Sequence, residues 1–188
     1  MKKLKEILYK VAIEGVSGST NCWITDIALD SRNVIKNSMF VAINGSEKDG
    51  HDYIDRALAS GASSIVCEQL PKELNQEVVY VQVNDSRVAL GYMASNYYET
   101  PSSHLKLVGV TGTNGKTTVA TLLFDLFNNL KKKAGLISTV AIKYDDKYFE
   151  SSHTTPNPLI INKHLRAMVD SGVSHCFMEV SSHGINQK

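Results

Sequence analysis

No stretch of this chain is apolar for long enough to cross a membrane, and no two cysteines have the spacing of a zinc or redox pair. The three cysteines, Cys22, Cys67 and Cys176, are odd in number and far apart, which excludes a disulfide framework as the organising device. Cys67 and Cys176 each sit in an apolar, strand-like run and read as buried thiols. Charge of one sign is also lacking. The 20 Lys and Arg against 19 Asp and Glu leave a formal net charge of +1, with no footprint for nucleic acid or an acidic membrane surface. The basic start, Met1-Lys2-Lys3-Leu4-Lys5-Glu6, has no apolar core behind it, so it is not a secretory signal, and a cytoplasmic location is expected. There is no His-Glu-x-x-His, no tight His and Asp cluster, no internal repeat and no low-complexity segment. What remains is an ordinary globular composition, 43% hydrophobic over 188 residues, enough for one large domain or two small ones. A monomer is the default expectation.

The richest stretch is Leu107-Val108-Gly109-Val110-Thr111-Gly112-Thr113-Asn114-Gly115-Lys116-Thr117-Thr118. An apolar, β-branched segment runs into a Gly-rich turn ending Gly-Lys-Thr, and Val119, Leu122, Leu123, Leu126 and Leu130 follow at helical spacing. A strand, a turn and a helix in that order hold a nucleotide triphosphate, because turn and helix N–H groups point at phosphate oxygens and the helix dipole favours the anion. Gly112, Thr113, Asn114, Gly115, Lys116, Thr117 and Thr118 are the candidate ATP-binding residues. Lys116 would reach the β- and γ-phosphates and the Thr117 hydroxyl would meet Mg²⁺. The spacing departs from the general phosphate-loop pattern, since Val110 stands where its first glycine belongs. A Gly-rich turn with an exposed lysine is the bland alternative.

Hydrophobic periodicity organises the rest into alternating elements. Leu4, Ile7, Leu8 and Val11 fit a short helix, and 25–29 and 39–43 read as strands. Tyr53, Ile54, Ala57 and Leu58 have helical spacing up to a stop at Gly61. Strands are expected at 64–67 and 78–83, then a helix capped by Asp85 or Ser86 and running to about Tyr98. Thr100-Pro101-Ser102-Ser103 breaks the pattern, which places a domain boundary there and predicts domains 1–101 and 102–188. After the phosphate loop come a strand at 135–140, a hairpin around Asp145-Asp146, a helix from Leu159 to about Asp170 and a strand at 175–180. The alternation predicts an α/β protein, with parallel sheet and helices on both faces. Ligands then gather at the carboxyl ends of the strands, where the phosphate loop and Ser181-Ser182-His183 both fall. The segment from Leu105 reads as the first part of a doubly wound domain, and the chain as the N-terminal part of a longer enzyme.

Several motifs, in this order, resemble the Mur ligase family along the whole chain. Leu29-Asp30-Ser31-Arg32, Phe40-Val41-Ala42-Ile43-Asn44-Gly45 and Asp49-Gly50-His51 resemble its N-terminal UDP-binding domain, and Thr111 to Thr118 resembles its ATP loop, irregular spacing included. His153-Thr154-Thr155-Pro156 and Met178-Glu179-Val180-Ser181-Ser182-His183-Gly184 are similar to the branch that adds the third peptide residue to the peptidoglycan precursor. The resemblance implies a small N-terminal α/β domain followed by the first part of a P-loop ATPase domain. It implies an acid–amino-acid ligase with ATP as co-substrate, Mg²⁺ as cofactor, and UDP-N-acetylmuramoyl-dipeptide and an amino acid as partners.

By that resemblance Lys116 and Glu179 are the catalytic residues, and Thr117 and Glu179 hold Mg²⁺. Leu29, Ser31, Ser46, Glu47 and Lys48 would contact the uridine end, while His153, Thr154, Thr155, Ser181 and Gln187 would hold the muramoyl-peptide arm. Read from the residues alone, Glu179 could also pair with a lysine or a helix N-terminus, Ser31 is a turn residue and 46–48 a solvated loop. Thr154-Thr155-Pro156 also fits the start of a helix. The family's carbamylated lysine and amino-acid-binding domain have no counterpart before Lys188, so the chain by itself is expected to lack ligase activity. Another ligase of the family, a phosphate-loop kinase or ATPase, and a nucleotide-sugar binding module remain as alternatives.

Overall fold

A computed structural model describes residues 1–45, 48–151 and 156–181. The chain divides into two compact units, Met1–Tyr97 and Tyr98–Lys188.

In the first unit, β1 (Lys2–Lys3) leads into α1 (Leu4–Ile7), and β2 (Gly15–Ser17), β3 (Trp23–Ile24), β4 (Ile27–Ala28) and β5 (Ser38–Val41) follow. Then come α2 (Ile54–Ala59), β6 (Ala62–Cys67), β7 (Val79–Gln82) and α3 (Ser86–Tyr97). Among the described residues, the main sheet has the order β2-β7-β6-β5-β4, parallel except for β2, and β1 and β3 form a separate antiparallel pair. The parallel strands β4 to β7 are buried almost throughout, on both faces, as a parallel sheet requires. Phe40, Ala42, Ile65, Cys67 and Tyr80 form one core with Ile54 and Ala57 of α2, while Met39, Val41, Val66 and Val81 alternate to the other side and are equally buried. Tyr80 keeps its polar end satisfied by accepting from the Asn75 N–H at 3.2 Å. Asp85 caps α3, its carboxylate accepting from the Arg87 and Val88 N–H groups at 3.0 and 2.9 Å.

The second unit consists of β8 (Lys106–Val110), α4 (Lys116–Asn129), β9 (Ala134–Ile137), β10 (Ala141–Tyr144), β11 (Lys147–Glu150), α5 (Pro158–Asp170) and β12 (His175–Glu179). The sheet order among the described residues is β11-β10-β9-β12-β8. Strands β9, β12 and β8 are parallel, and the hairpin expected around Asp145-Asp146 is present as β10–β11, which adds an antiparallel edge to the sheet. The strand expected over 135–140 stops at Ile137, because the Ser138 hydroxyl and backbone turn back onto Ala141. Helices lie on both faces, as the alternation predicts. Leu165 and Met168 of α5 pack with Ile137, Ile142 and Cys176 on one side, and Leu123, Phe124 and Phe127 of α4 meet Leu136 and Phe177 on the other.

The structure decides which face of α4 packs and which residue caps α5. The face of α4 laid on the sheet carries Ala120, Leu123, Phe124 and Phe127, whereas Val119, Leu122, Leu126 and Leu130 are exposed. The helix is apolar around more than one face, and the two aromatic rings select the face that packs. Helix α5 is capped by Asn157, whose side chain accepts from the Ile160 N–H at 3.0 Å, and Pro158 occupies its first turn. Thr154 and Thr155 lie outside the described residues.

Candidate functional site

In the second unit, three adjacent parallel strands end together. Strand β8 runs into the phosphate loop, β9 into Ser138-Thr139, and β12 ends on Glu179 with Ser181 two residues beyond. The register sets Glu179 beside Val110, and the Val180 N–H donates to the Val110 carbonyl at 2.9 Å. Loop residues Thr111 to Gly115 are exposed, and Gly115 turns the chain into α4 with φ of +80°, a left-handed conformation that an L side chain resists. Thr113 and Asn114 lie on the open loop, and Thr118 is exposed in the first turn of the helix. Lys116 folds back on the loop and donates to the Gly112 carbonyl at 2.7 Å, which keeps the ammonium group over the bend.

Glu179 is the buried charge of this region, with 1% of its surface exposed. Its carboxylate accepts from the Thr117 hydroxyl at 3.0 Å, the Thr139 hydroxyl at 3.0 Å and the Thr139 N–H at 3.1 Å. A buried carboxylate needs such donors to remain ionised and in one place. The structure thus brings together Lys116, Thr117 and Glu179 from segments distant in sequence. It adds Thr139, which sequence reading passed over as the end of a strand. The available signal was its place near the carboxyl end of the expected strand, where ligand-facing residues collect. One carboxylate and two hydroxyls beside the N-terminus of α4 form a hard-oxygen donor set. That set suits Mg²⁺, which binds one or two carboxylates and takes its remaining ligands from phosphate and water.

The first unit has a cavity of about 400 Å³ beyond the carboxyl ends of β4 and β5, between the segment 29–32 on one side and Ile43, Lys48, Gly50, Tyr53 and Arg56 on the other. It brings together Leu29, Ser31 and Lys48 and adds Arg32, Tyr53 and Arg56. Tyr53 and Arg56 are read from sequence as parts of a short helix; their apolar and cationic sides facing one cavity needed the tertiary structure. Ser31 is buried at the start of a 3-10 turn that Asp30 caps, accepting from the Arg32 N–H at 2.9 Å. The Arg32 guanidinium hydrogen-bonds both Asp30 oxygens, and this contact lowers the Asp30 carboxyl to about 2. Ser46, Glu47, His153, Thr154, Thr155 and Gln187, also expected to touch the nucleotide sugar, lie outside the described residues.

Two family models match this chain. The Mur ligase family catalytic domain matches residues 24–98, and the Mur ligase middle domain matches residues 110–188, so that between them they span most of the sequence. The chain belongs to the Mur ligase family. Among its Mur ligase relatives, the UDP-N-acetylmuramoyl-L-alanyl-D-glutamate--2,6-diaminopimelate ligase of Cytophaga hutchinsonii is 50% identical over 187 residues, covering 99% of this chain. The ligase of the same name from Bacteroides fragilis is 49% identical over 186 residues. The chain spans 38% of the length of each of these relatives. A solved structure of a UDP-N-acetylmuramoyl-L-alanyl-D-glutamate--2,6-diaminopimelate ligase has the same fold, with a TM-score of 0.78 at 24% identity, covering 99% of this chain and 37% of that one. The MurF ligase of Thermotoga maritima in complex with ADP is more distant, with a TM-score of 0.55 at 24% identity over 84% of this chain and 32% of that one.

Proposed function

We propose that this Mur ligase chain is part of an ATP-dependent enzyme that adds the third peptide residue to UDP-N-acetylmuramoyl-L-alanyl-D-glutamate. The names of its relatives favour 2,6-diaminopimelate as the residue added. The single observation that carries the ATP-dependent chemistry is Glu179, buried yet joined to Thr117 at the first turn after the phosphate loop. In this reading residues 1–101 bind the nucleotide sugar and 102–188 the ATP.

A carboxylate resists attack by an amine because it would have to expel oxide. Transfer of the γ-phosphoryl group of ATP to one carboxylate oxygen makes that oxygen part of a phosphate leaving group. The amine nitrogen then bonds to the acyl carbon, inorganic phosphate departs, and the amine proton passes to solvent or a base. Phosphoryl transfer asks the protein mainly for position and charge neutralisation. The N–H groups of Gly112 to Lys116 and the N-terminus of α4 receive phosphate oxygens. Lys116 exchanges its bond to the Gly112 carbonyl for the β- and γ-phosphates, so its charge arrives where negative charge accumulates. Thr117 and Glu179 would hold Mg²⁺, which when bound neutralises phosphate charge, and Thr139 keeps the Glu179 carboxylate aimed.

In the first unit, Leu29, Ser31 and Tyr53 offer the cavity mixed apolar and hydroxyl walls for a uridine, and Lys48 and Arg56 offer cations for a diphosphate. By the same reading Ser181, with His153, Thr154, Thr155 and Gln187, takes the muramoyl-peptide arm. The test is ATP turnover by the complete protein that carries this chain. ADP release should require both the UDP-sugar dipeptide and the amino acid, with peptide-bond formation matching phosphate release. Release at an equal rate without the amino acid would instead identify a kinase or ATPase.

A further inference from the structure

The Asp49-Gly50-His51 motif is not absorbed by the chemistry above, yet its histidine holds three contacts. His51 is largely buried, with 16% of its side chain exposed. Its Nδ1 lies 2.6 Å from Asp49 Oδ1, and its Nε2 lies 3.0 Å from the Glu68 backbone nitrogen and 3.3 Å from that of Gln69. Backbone N–H groups can only donate, so Nε2 must carry a lone pair and the ring proton sits on Nδ1, where Asp49 accepts it. The imidazole therefore works as a two-ended connector. One end grips the segment 48–50, and the other grips the chain where it leaves β6.

That segment forms the wall of the nucleotide-sugar cavity. Its base is closed by the Asn44–Asp49 bridge, by the Gly45 N–H donating to the Lys48 carbonyl at 3.0 Å, and by the Gly50 N–H donating to the Ile43 carbonyl at 2.8 Å. These bonds give the loop its shape but bind it only to itself and to the end of β5. His51 ties it to β6. Arg87 is a further cross-tie, its guanidinium donating to the Asn44 carbonyl at 2.7 Å. Glu68, at the far end of the histidine contact, is itself held, its carboxylate accepting from the Ser86 N–H and hydroxyl at 2.9 and 2.8 Å.

We propose that His51 is a positioning residue for nucleotide-sugar binding: its imidazole fixes the segment 48–50 against the end of β6 and so sets where Lys48 and Gly50 stand in the cavity wall. The proposal rests on the reading of that cavity as the uridine diphosphate site. The probe is UDP itself, titrated calorimetrically into the 188-residue chain. H51A should weaken UDP binding by about tenfold, the scale of one or two lost hydrogen bonds. H51Q, whose Oε1 can reach the Glu68 and Gln69 N–H groups, should restore most of the affinity. H51N, whose shorter amide can satisfy only Asp49, should not.

Y80F supplies the control for general destabilisation, because it loses the Asn75 bond in the core and should lower the melting temperature while leaving UDP affinity intact. A second readout needs no ligand. Hydrogen exchange at the Gly45 and Gly50 amides should quicken in H51A and H51N and slow again in H51Q. Equal exchange at these amides in all four proteins, or UDP affinity in H51A equal to wild type, overturns the role of His51. Failure of the wild-type chain to bind UDP instead removes the uridine reading of the cavity, while the exchange measurement still decides whether His51 holds the loop.

Discussion

The Thr117 hydroxyl donates to Glu179 across 3.0 Å, although 62 residues separate the two in the chain. Neither could reach the other without the parallel pairing of β12 with β8, which sets Glu179 beside Val110 at the point where β8 becomes the phosphate loop. The Thr139 hydroxyl and N–H complete the hold on the carboxylate from the end of β9. A charge preorganised in this way needs little rearrangement when phosphates and a cation arrive.

E179Q removes that charge while keeping the shape of the side chain. We expect a loss of about 1.5–3 kcal/mol in stability, the range for a hydrogen bond to a charged group, and about a tenfold fall in ADP affinity with Mg²⁺ present. ADP affinity in EDTA should stay near that of wild type, so calorimetry with and without the cation separates metal coordination from general damage. T139V should cost about 1 kcal/mol and a smaller part of the Mg²⁺-dependent affinity.

G115A tests the backbone of the loop. A Cβ at this position meets nothing within 4 Å, so steric clash is not the issue, but φ is +80°. The left-handed strain should lower stability by about 1–2 kcal/mol in thermal melts or flatten the loop to relieve it. In either case ADP binding should weaken.

N157A tests the start of α5. Loss of the side-chain bond to the Ile160 N–H should cost about 1 kcal/mol, read as a lower unfolding midpoint in urea. ADP affinity should not change, because Asn157 caps a helix and makes none of the phosphate-loop contacts.

The Asp30–Arg32 contact predicts a pH dependence with a definite sign. The guanidinium hydrogen bonds lower the Asp30 carboxyl to about 2, below the value of about 3.9 expected in the unfolded chain. The contact therefore contributes its full stabilisation above about pH 4 and loses it as the pH falls towards 2. Carboxyl NMR titration should place Asp30 near 2 in the wild type, and R32A should return it towards the ordinary aspartate range. An unmoved Asp30 in R32A would show that the guanidinium is not the cause.

Much of this architecture was legible from residue patterns. Short, continuous apolar runs marked β6, β7 and β12, because a strand buried on both faces is apolar along its length, and the spacing after Gly115 marked α4, because a helix with a buried face keeps its period in the sequence. The Gly-Lys-Thr turn marked the phosphate loop for a local reason: its backbone conformation and its cationic and hydroxyl groups all lie within one short stretch. The cap of α5 was placed too early, on the threonines before Pro156, since several hydroxyl and amide residues precede that helix and only geometry shows that Asn157 accepts the N–H. Which side of α4 is exposed was not legible, because leucines at helical spacing do not reveal which of two apolar faces a sheet will cover.

Local chemistry thus determined, from sequence alone, where the elements begin and which loop can cradle phosphate. The tertiary structure decided which distant groups share a site: Thr139 and Thr117 around Glu179, Tyr53 and Arg56 beside Leu29 and Ser31, and His51 on the backbone of Glu68. Those choices depend on strand order and register. Both arise from the packing of the whole unit, so no window of neighbouring residues contains them.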